Sequence, residues 1–232
     1  MLCTETDFAA LWAWQELRRR GAGPVDLVTA GALASALRWR HELNGEPDLE
    51  IALADGRVLR RSEIGGVLNR LTYVPLRAAG IAPTERPYAE QEWRAFFSGW
   101  LYSLPGPTLN RATAHALSGT MRDRSGWLAL AGQAGLPAVS RRFSYPCPPE
   151  PQWEDRFSAI VVGRNVLGLP SEDESWKASC ARLAEAADCG LLGLDFVRAH
   201  DTGWVLSYAT PLPDLRAGGL GLINLLVAEL AQ

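Results

Sequence analysis

The sequence has almost no lysine: Lys177 stands alone against 22 arginines. A mechanism that grips phosphates with several ammonium groups, or that forms a Schiff base, therefore has a single candidate. Cysteine is scarce too. Cys3, Cys147, Cys180 and Cys189 form no C-x-x-C pair and no metal-ligand spacing, so neither a disulfide framework nor a thiolate metal site is expected, and reduced cytoplasmic thiols are. The three histidines, His41, His115 and His200, share no metal or triad spacing and read as surface or hydrogen-bonded core imidazoles. A net charge of −3 supplies no basic field for nucleic acid or an anionic membrane. No apolar run reaches the roughly 18 residues of a membrane span, and the first residues lack the basic-then-apolar layout of a signal peptide. The expected compartment is the cytoplasm, with neither nucleic acid nor membrane as a partner.

What the chain does have is apolar and aromatic side chains: 47% of its 232 residues are hydrophobic and nine are tryptophan. A chain of this length buries roughly 70–75% of its unfolded surface and needs no covalent or metal staple. Residues 1–5 suit a short strand, and Phe8, Leu11, Trp12 and Leu17 recur at helical spacing up to Gly21. "VDLVTAG" (25–31) reads as a buried strand. "ALRWRHEL" (36–43) alternates, with Leu37, Trp39 and His41 on one side and Arg38, Arg40 and Glu42 on the other. "LEIALADGRVLRRSEI" (49–64) is a hairpin about Asp55-Gly56, and "GGVLNRLTYV" (65–74) a further strand. Helices are expected over 88–104, near 110–118 and over 123–134, the first burying Trp93, Phe96, Phe97, Trp100 and Leu101.

"SYPCPPEPQ" (144–152) holds four prolines in nine residues and reads as an extended linker. Beyond it come a strand at 158–163, a helix over 174–188, a hairpin within "GLDFVRAHDTGWVLSYATP" (193–211) and a helix over 219–231. Alternating strands and helices predict an α/β protein with α+β mixing, its domains being 1–143 and 153–232 on either side of the linker.

Several features invite a chemical reading and have a plainer one. Gly218-Gly219-Leu220-Gly221 lacks the third glycine and the Gly-Lys-Ser tail of phosphate loops, so it reads as a helix entry. Ser118 lacks a nucleophile elbow and suits a helix end or cap. Glu154-Asp155 and "SEDES" (171–175) suit a linker and a helix N-terminus. The Trp93/Trp100 face is first of all core. Arg70 interrupts an apolar strand, where a guanidinium must meet a carboxylate, a carbonyl or a ligand. Structural pairing is the first reading, and a peptide carboxylate or backbone the second.

The order of these pieces resembles the ATP-grasp superfamily, in particular its peptide-modifying ligases. The resemblance rests on an arginine-bearing strand "GVLNRLTYVP", an acidic-aromatic helix running into "LPGPTLN", a helix leading into a strand "WLALAGQAGLPAVSRR", the strand "IVVG" and the hairpin that opens "GLDFV". It implies three Mg²⁺ ligands: an aspartate on the first hairpin strand, a glutamate twelve residues on and an asparagine two further. With Asp195 as the first, the other two positions hold Ser207 and Ala209, a loss that Mg²⁺ tolerates badly. The family's nucleotide-gripping lysines precede the "IVVG" strand, where this chain has "SYPCPPEPQWEDRF" and no lysine.

The resemblance therefore implies a truncated, degenerate ATP-grasp-like chain. It has a small N-terminal α/β domain and a remnant of the C-terminal subdomain, without metal or cofactor. Proteins of this kind resemble peptide-binding partners in pathways for ribosomally made, post-translationally modified peptides, the crocagin-type pathway among them. The expected function is non-catalytic binding of a precursor (leader/core) peptide, with Arg38, Arg40 and Arg70 receiving acids and Trp39 or Trp93 apolar anchors. One alternative is a cofactor-independent enzyme that cyclises a bound indole using His41, Glu42, His200 or Asp201. Another is a structural subunit of a complete ligase. A homodimer and contacts with other biosynthetic enzymes are expected alongside.

Overall fold

A computed structural model describes residues 1–21, 23–42, 48–77, 80–139, 153, 155–170, 173–199 and 203–231. The chain forms two compact units, Met1–Thr120 with Ile223–Gln232, and Met121–Leu222. The expected linker at 144–152, Glu154, the start of "SEDES" and the 200–202 turn lie outside the described residues.

The first unit opens with β1 (Leu2–Cys3) and α1 (Phe8–Arg19). Asp7 caps α1 by accepting from the Ala10 N–H at 3.0 Å, and Arg18 and Arg19 occupy its last turn, where cations complement the helix dipole. The buried stripe of α1 consists of Ala9, Ala10, Ala13 and Leu17, while Phe8 is exposed. The expected strand over 25–31 is short. β2 (Val28–Thr29) gives way at once to α2 (Ala30–Ala34), because the Thr29 hydroxyl accepts from Ala32 N–H and caps a helix in an alanine-rich stretch. The antiparallel sheet β3 (Arg38–Glu42), β4 (Asp48–Ala52) and β5 (Val58–Arg60) follows, its second turn made at Asp55-Gly56 as expected. Leu49 and Ile51 alternate inward along β4.

The strand expected over 65–74 reduces to β6 (Val67–Leu68). α3 spans Arg86–Tyr102, and β7 (Thr108–Leu109) pairs parallel with β6. No helix forms near 110–118 and Ser118 caps none. The Thr113 hydroxyl accepts from His115 and Ala116 N–H groups, and the buried Asn69 amide donates to the carbonyls of Asn110 and Leu117. The local Thr113 bonds and the long-range Asn69 bonds together hold the backbone in turns that compete with a helix. The core joins Leu2, Val28, Leu33, Ile51, Phe97 and Trp100.

The second unit begins with α4 (Arg124–Gln133), capped by Asp123. Four antiparallel strands form a sheet of order β11-β10-β8-β9, from β8 (Arg156–Val162), β9 (Asn165–Leu167), β10 (Leu191–Ala199) and β11 (Gly203–Thr210). β9 is an addition to the expected elements; it returns from β8 through Gly163-Arg164, with Gly163 at positive φ. α5 (Glu174–Ala186) and α4 supply Trp127, Cys180 and Leu183 to a core shared with Leu194, Phe196 and Leu206 of the sheet. α6 (Gly219–Leu230) closes the chain, so the glycines at 218–221 are a helix entry.

Candidate functional site

β3 is a terminal strand of its sheet, and no other described strand pairs with its outer edge. Its alternation puts Arg38 and Arg40 toward solvent and leaves Trp39 and His41 half-buried. The Arg38 guanidinium meets Glu50 on the neighbouring strand, and Arg60 approaches the same carboxylate at 3.5 Å. Arg40 pairs with Glu42 at 2.8 Å. Exposed pairs of this kind contribute little to stability and exchange readily for another carboxylate.

Trp39 is partly buried and packs against the core. Its ring lies 5.2 Å, centre to centre, from each of Phe96, Phe97 and Trp100, always near-perpendicular, the favoured edge-to-face arrangement. Trp93 stacks on Phe96 and donates its indole N–H to the Val74 carbonyl at 3.1 Å.

Arg70 is 5% exposed. Its Nε and Nη2 donate to the two Asp7 carboxylate oxygens at 2.7 and 3.3 Å, and its backbone N–H donates to the Leu2 carbonyl at 2.8 Å. Asp7 thus caps α1 and receives a two-pronged guanidinium at once. Asp7 was absent from the sequence-predicted set, although its place before an apolar helical run is an N-cap signature. His41 Nε2 lies 2.9 Å from Ser103 Oγ, whose hydroxyl also reaches the Trp100 carbonyl at the end of α3. His200 and Asp201 lie outside the described residues.

The β10–β11 hairpin carries the positions where the resemblance places metal ligands. Asp195 pairs with Tyr208 and Leu194 with Ala209, and a bulge follows, leaving Phe196 opposite Leu206. Ser207 is the extra residue. Its hydroxyl donates to the Asp195 carbonyl at 2.9 Å, and its own carbonyl accepts from Arg124 Nε at 2.9 Å. Directly opposed residues share a face and successive residues alternate, so Asp195 and Ala209 stand on opposite faces. Ala209 is fully buried in the core with Leu194, and the Asp195 carboxylate accepts from the Ser158 hydroxyl at 2.6 Å. One carboxylate, one hydroxyl already donating and one methyl do not make an oxygen set for Mg²⁺. Among the described residues no three His, Cys, Asp or Glu side chains gather as a metal site. Lys177 lies on α5 with Glu174 at 3.0 Å.

A feature without a sequence signal is a cavity of about 390 Å³ within the first unit. Its floor includes the buried Val28, Leu68, Trp100 and Leu226, and its walls the half-buried Val58 and Val227. These come from β2, β5, β6, α3 and α6, and no local periodicity announces their convergence.

No protein-family model matches the chain, and no curated protein matches it. Solved structures do. The macrocyclase MdnC of Microcystis aeruginosa MRC, solved with its precursor peptide MdnA, superposes with a TM-score of 0.72 at 11% identity, covering 100% of this chain and 98% of that one. A RiPP-associated ATP-grasp ligase of Chryseobacterium gregarium, in complex with ADP and a leader and core peptide, gives 0.69 at 9% identity, covering 98% and 95%. The ATP-grasp ligase PsnB, complexed with minimal precursor, Mg and ADP, gives 0.67 at 15%, covering 100% and 97%. The chain thus has the mixed α/β fold of RiPP-associated ATP-grasp ligases. No described helix is long and apolar enough to cross a membrane.

Proposed function

We propose that this chain binds the precursor peptide of a RiPP pathway and presents or shapes it for modification without catalysing the change itself. The observation that carries the reading is the hairpin. It keeps its two strands, while the positions that would hold Mg²⁺ carry an alanine packed in the core and a serine spent on a backbone bond. The lysine-free interval at 144–157 supports the further reading that the nucleotide-covering subdomain is missing, with 1–143 and 153–232 as the remaining domains. A peptide partner is supported by the fold, since the similar ligases were solved with precursor peptides bound. Arg38 and Arg40, exposed on an open strand edge, suit acidic residues of a peptide added as a strand.

Should a short precursor gene lie beside this chain's gene, isothermal titration with the peptide it encodes tests the proposal. Binding without ATP or Mg²⁺ is expected, and no heat at tens of micromolar removes the reading. The His41–Ser103 contact gives specific support to one alternative, general acid–base help to a cyclisation. A mass change in the peptide incubated with this chain alone would establish it. The open edge of β3 also suits self-association into a homodimer, which a sizing measurement decides.

A further inference from the structure

One edge of β3 is unpaired among the described residues, and the charges along it are complementary to themselves. We propose that two copies of the chain join antiparallel, edge to edge along β3, about a two-fold axis at Arg40, and that the peptide competes with the second copy for that edge. Only the competition rests on the peptide-binding reading.

An unpaired row of backbone N–H and C=O groups is a template for another strand, and charges of one sign normally protect it. The exposed side of β3 carries both signs instead, reading Arg38, Arg40 and Glu42, each more than half exposed. Arg40 is the middle residue of the strand (Arg38–Glu42). A two-fold axis there pairs the whole strand with its copy and sets each Arg38 opposite the second copy's Glu42. Opposite charges facing each other stabilise an antiparallel pair, and like charges oppose it. An axis at Trp39 would set Arg38 against Arg40 twice, and one at His41 would run the pairing past the end of β3. The end of the sheet also lacks a cation. Glu42 faces Asp48 across the β3–β4 pair, two opposed carboxylates with only Arg40 meeting Glu42, at 2.8 Å. The second copy's Arg38 supplies another cation at that place. Arg38 is free to turn there, because Arg60 also holds its present partner Glu50, at 3.5 Å. The cost is Arg40 facing its own copy across the axis, where each keeps its Glu42. On the other side of the strand Trp39 and His41, half-buried within one chain, oppose each other across the join. Permanent dimers bury about 2,000 Å² or more, which a single five-residue edge does not provide. The join is therefore reversible, and a peptide added as a strand takes the second copy's place.

Sedimentation equilibrium of the full chain measures the association, with circular dichroism confirming that each variant is folded. The wild-type chain is expected to pass reversibly from monomer to dimer as its concentration rises through the micromolar range. Arg38→Glu alone sets acid against acid twice, and Glu42→Arg alone sets cation against cation twice. Each should weaken self-association about tenfold or more. In an equimolar mixture of the two variants, opposite charges meet at both places, so the mixture should dimerise like the wild type. A wild-type chain that stays monomeric overturns the proposal, as do single variants that dimerise undiminished or a mixture no better than its components. Adding the precursor peptide used in calorimetry to the wild-type dimer should yield monomers, each with one peptide. A dimer that takes up peptide without dissociating overturns the competition and leaves the join standing. No peptide binding by the monomeric Glu42→Arg variant removes the peptide-binding reading, and the join again stands without it.

Discussion

Replacing Arg70 by alanine separates two readings of this residue, structural partner and ligand contact. The guanidinium and the Asp7 carboxylate are both largely buried, their side chains being 5% and 13% exposed, and they share two hydrogen bonds at 2.7 and 3.3 Å. Removing one member of a buried pair leaves the other charge without compensation, which costs about 3–5 kcal/mol. Asp7 keeps its bond to the Ala10 N–H and retains some access to water, so the expected loss for Arg70→Ala lies near the lower end, about 3 kcal/mol. Arg70→Lys restores charge without the fork and should recover part of the loss. The double variant Arg70→Met/Asp7→Asn leaves no buried charge and retains an N-cap oxygen, so it should be more stable than Arg70→Ala. Urea unfolding followed by tryptophan fluorescence measures all three. A loss below about 1 kcal/mol for Arg70→Ala, together with abolished peptide affinity in a folded variant, would refute structural pairing and assign Arg70 to the ligand.

Burial pushes the Cys3 thiol up to about 11 and the Cys180 thiol up to about 12. Cys3, Cys180 and Cys189, all buried, should therefore resist a disulfide reagent at pH 8 until denaturant is added; rapid reaction of more than one thiol per native chain contradicts this. Ser207→Glu with Ala209→Asn restores the ligand types the resemblance implies, yet Mg²⁺ titration should show no uptake, because residues 195 and 209 face opposite ways; micromolar affinity would show that the register is wrong. Partial burial raises the Glu5 carboxyl, but the N–H groups of Glu5 and Gly31 and the Thr29 side chain lower it more, so its net pKa falls below the usual value. Its contribution is thus present above the unfolded-state value and lost as pH drops through the folded one, and Glu5→Gln should flatten the acid limb of the stability curve. Trp39→Ala should destabilise by about 3 kcal/mol, at the low end for a core aromatic because the residue is half-buried, and a neutral result in thermal unfolding would return Trp39 to the surface.

Much of the architecture was legible because local signals agreed with tertiary demand. Asp55-Gly56 made its hairpin, and Phe97, Trp100 and Leu101 marked the buried face of α3. The helix and strand errors near 28–34 and 110–118 trace to side chains that bond the backbone. Thr29 turned an expected strand into a capped helix, and Thr113 with Asn69 held turns where a helix was expected near 110–118. β6 keeps only two residues because its partners, β7 and the Leu2 bridge, are themselves short. At the site, Arg70 was legible as an anomaly, but its partner lies 63 positions away. The cavity could not be read at all, since its walls come from elements far apart in the chain.

Protein groups alone hold the bulged hairpin. In a regular antiparallel pair, an acid at 195 faces with residue 208, while 207 and 209 face away from it; a bulge is what allows one strand to re-aim a side chain. Here protein groups hold the bulge. The Ser207 hydroxyl ties it to Asp195, and Arg124 draws on its carbonyl. The neutral Ser207 bond contributes roughly 0.5–1.5 kcal/mol and the bond from the Arg124 cation roughly 1.5–3 kcal/mol, enough to fix the strand without an ion. Ala209 then becomes an advantage, because a methyl fits beside Leu194 in a core where a carboxylate or an amide would be buried without a partner. Ser207 and Ala209 each favour the folded chain and offer a divalent ion little, so stability and chemistry point the same way at this hairpin. A working ligase site cannot combine them so, because its clustered carboxylates repel until the cation arrives.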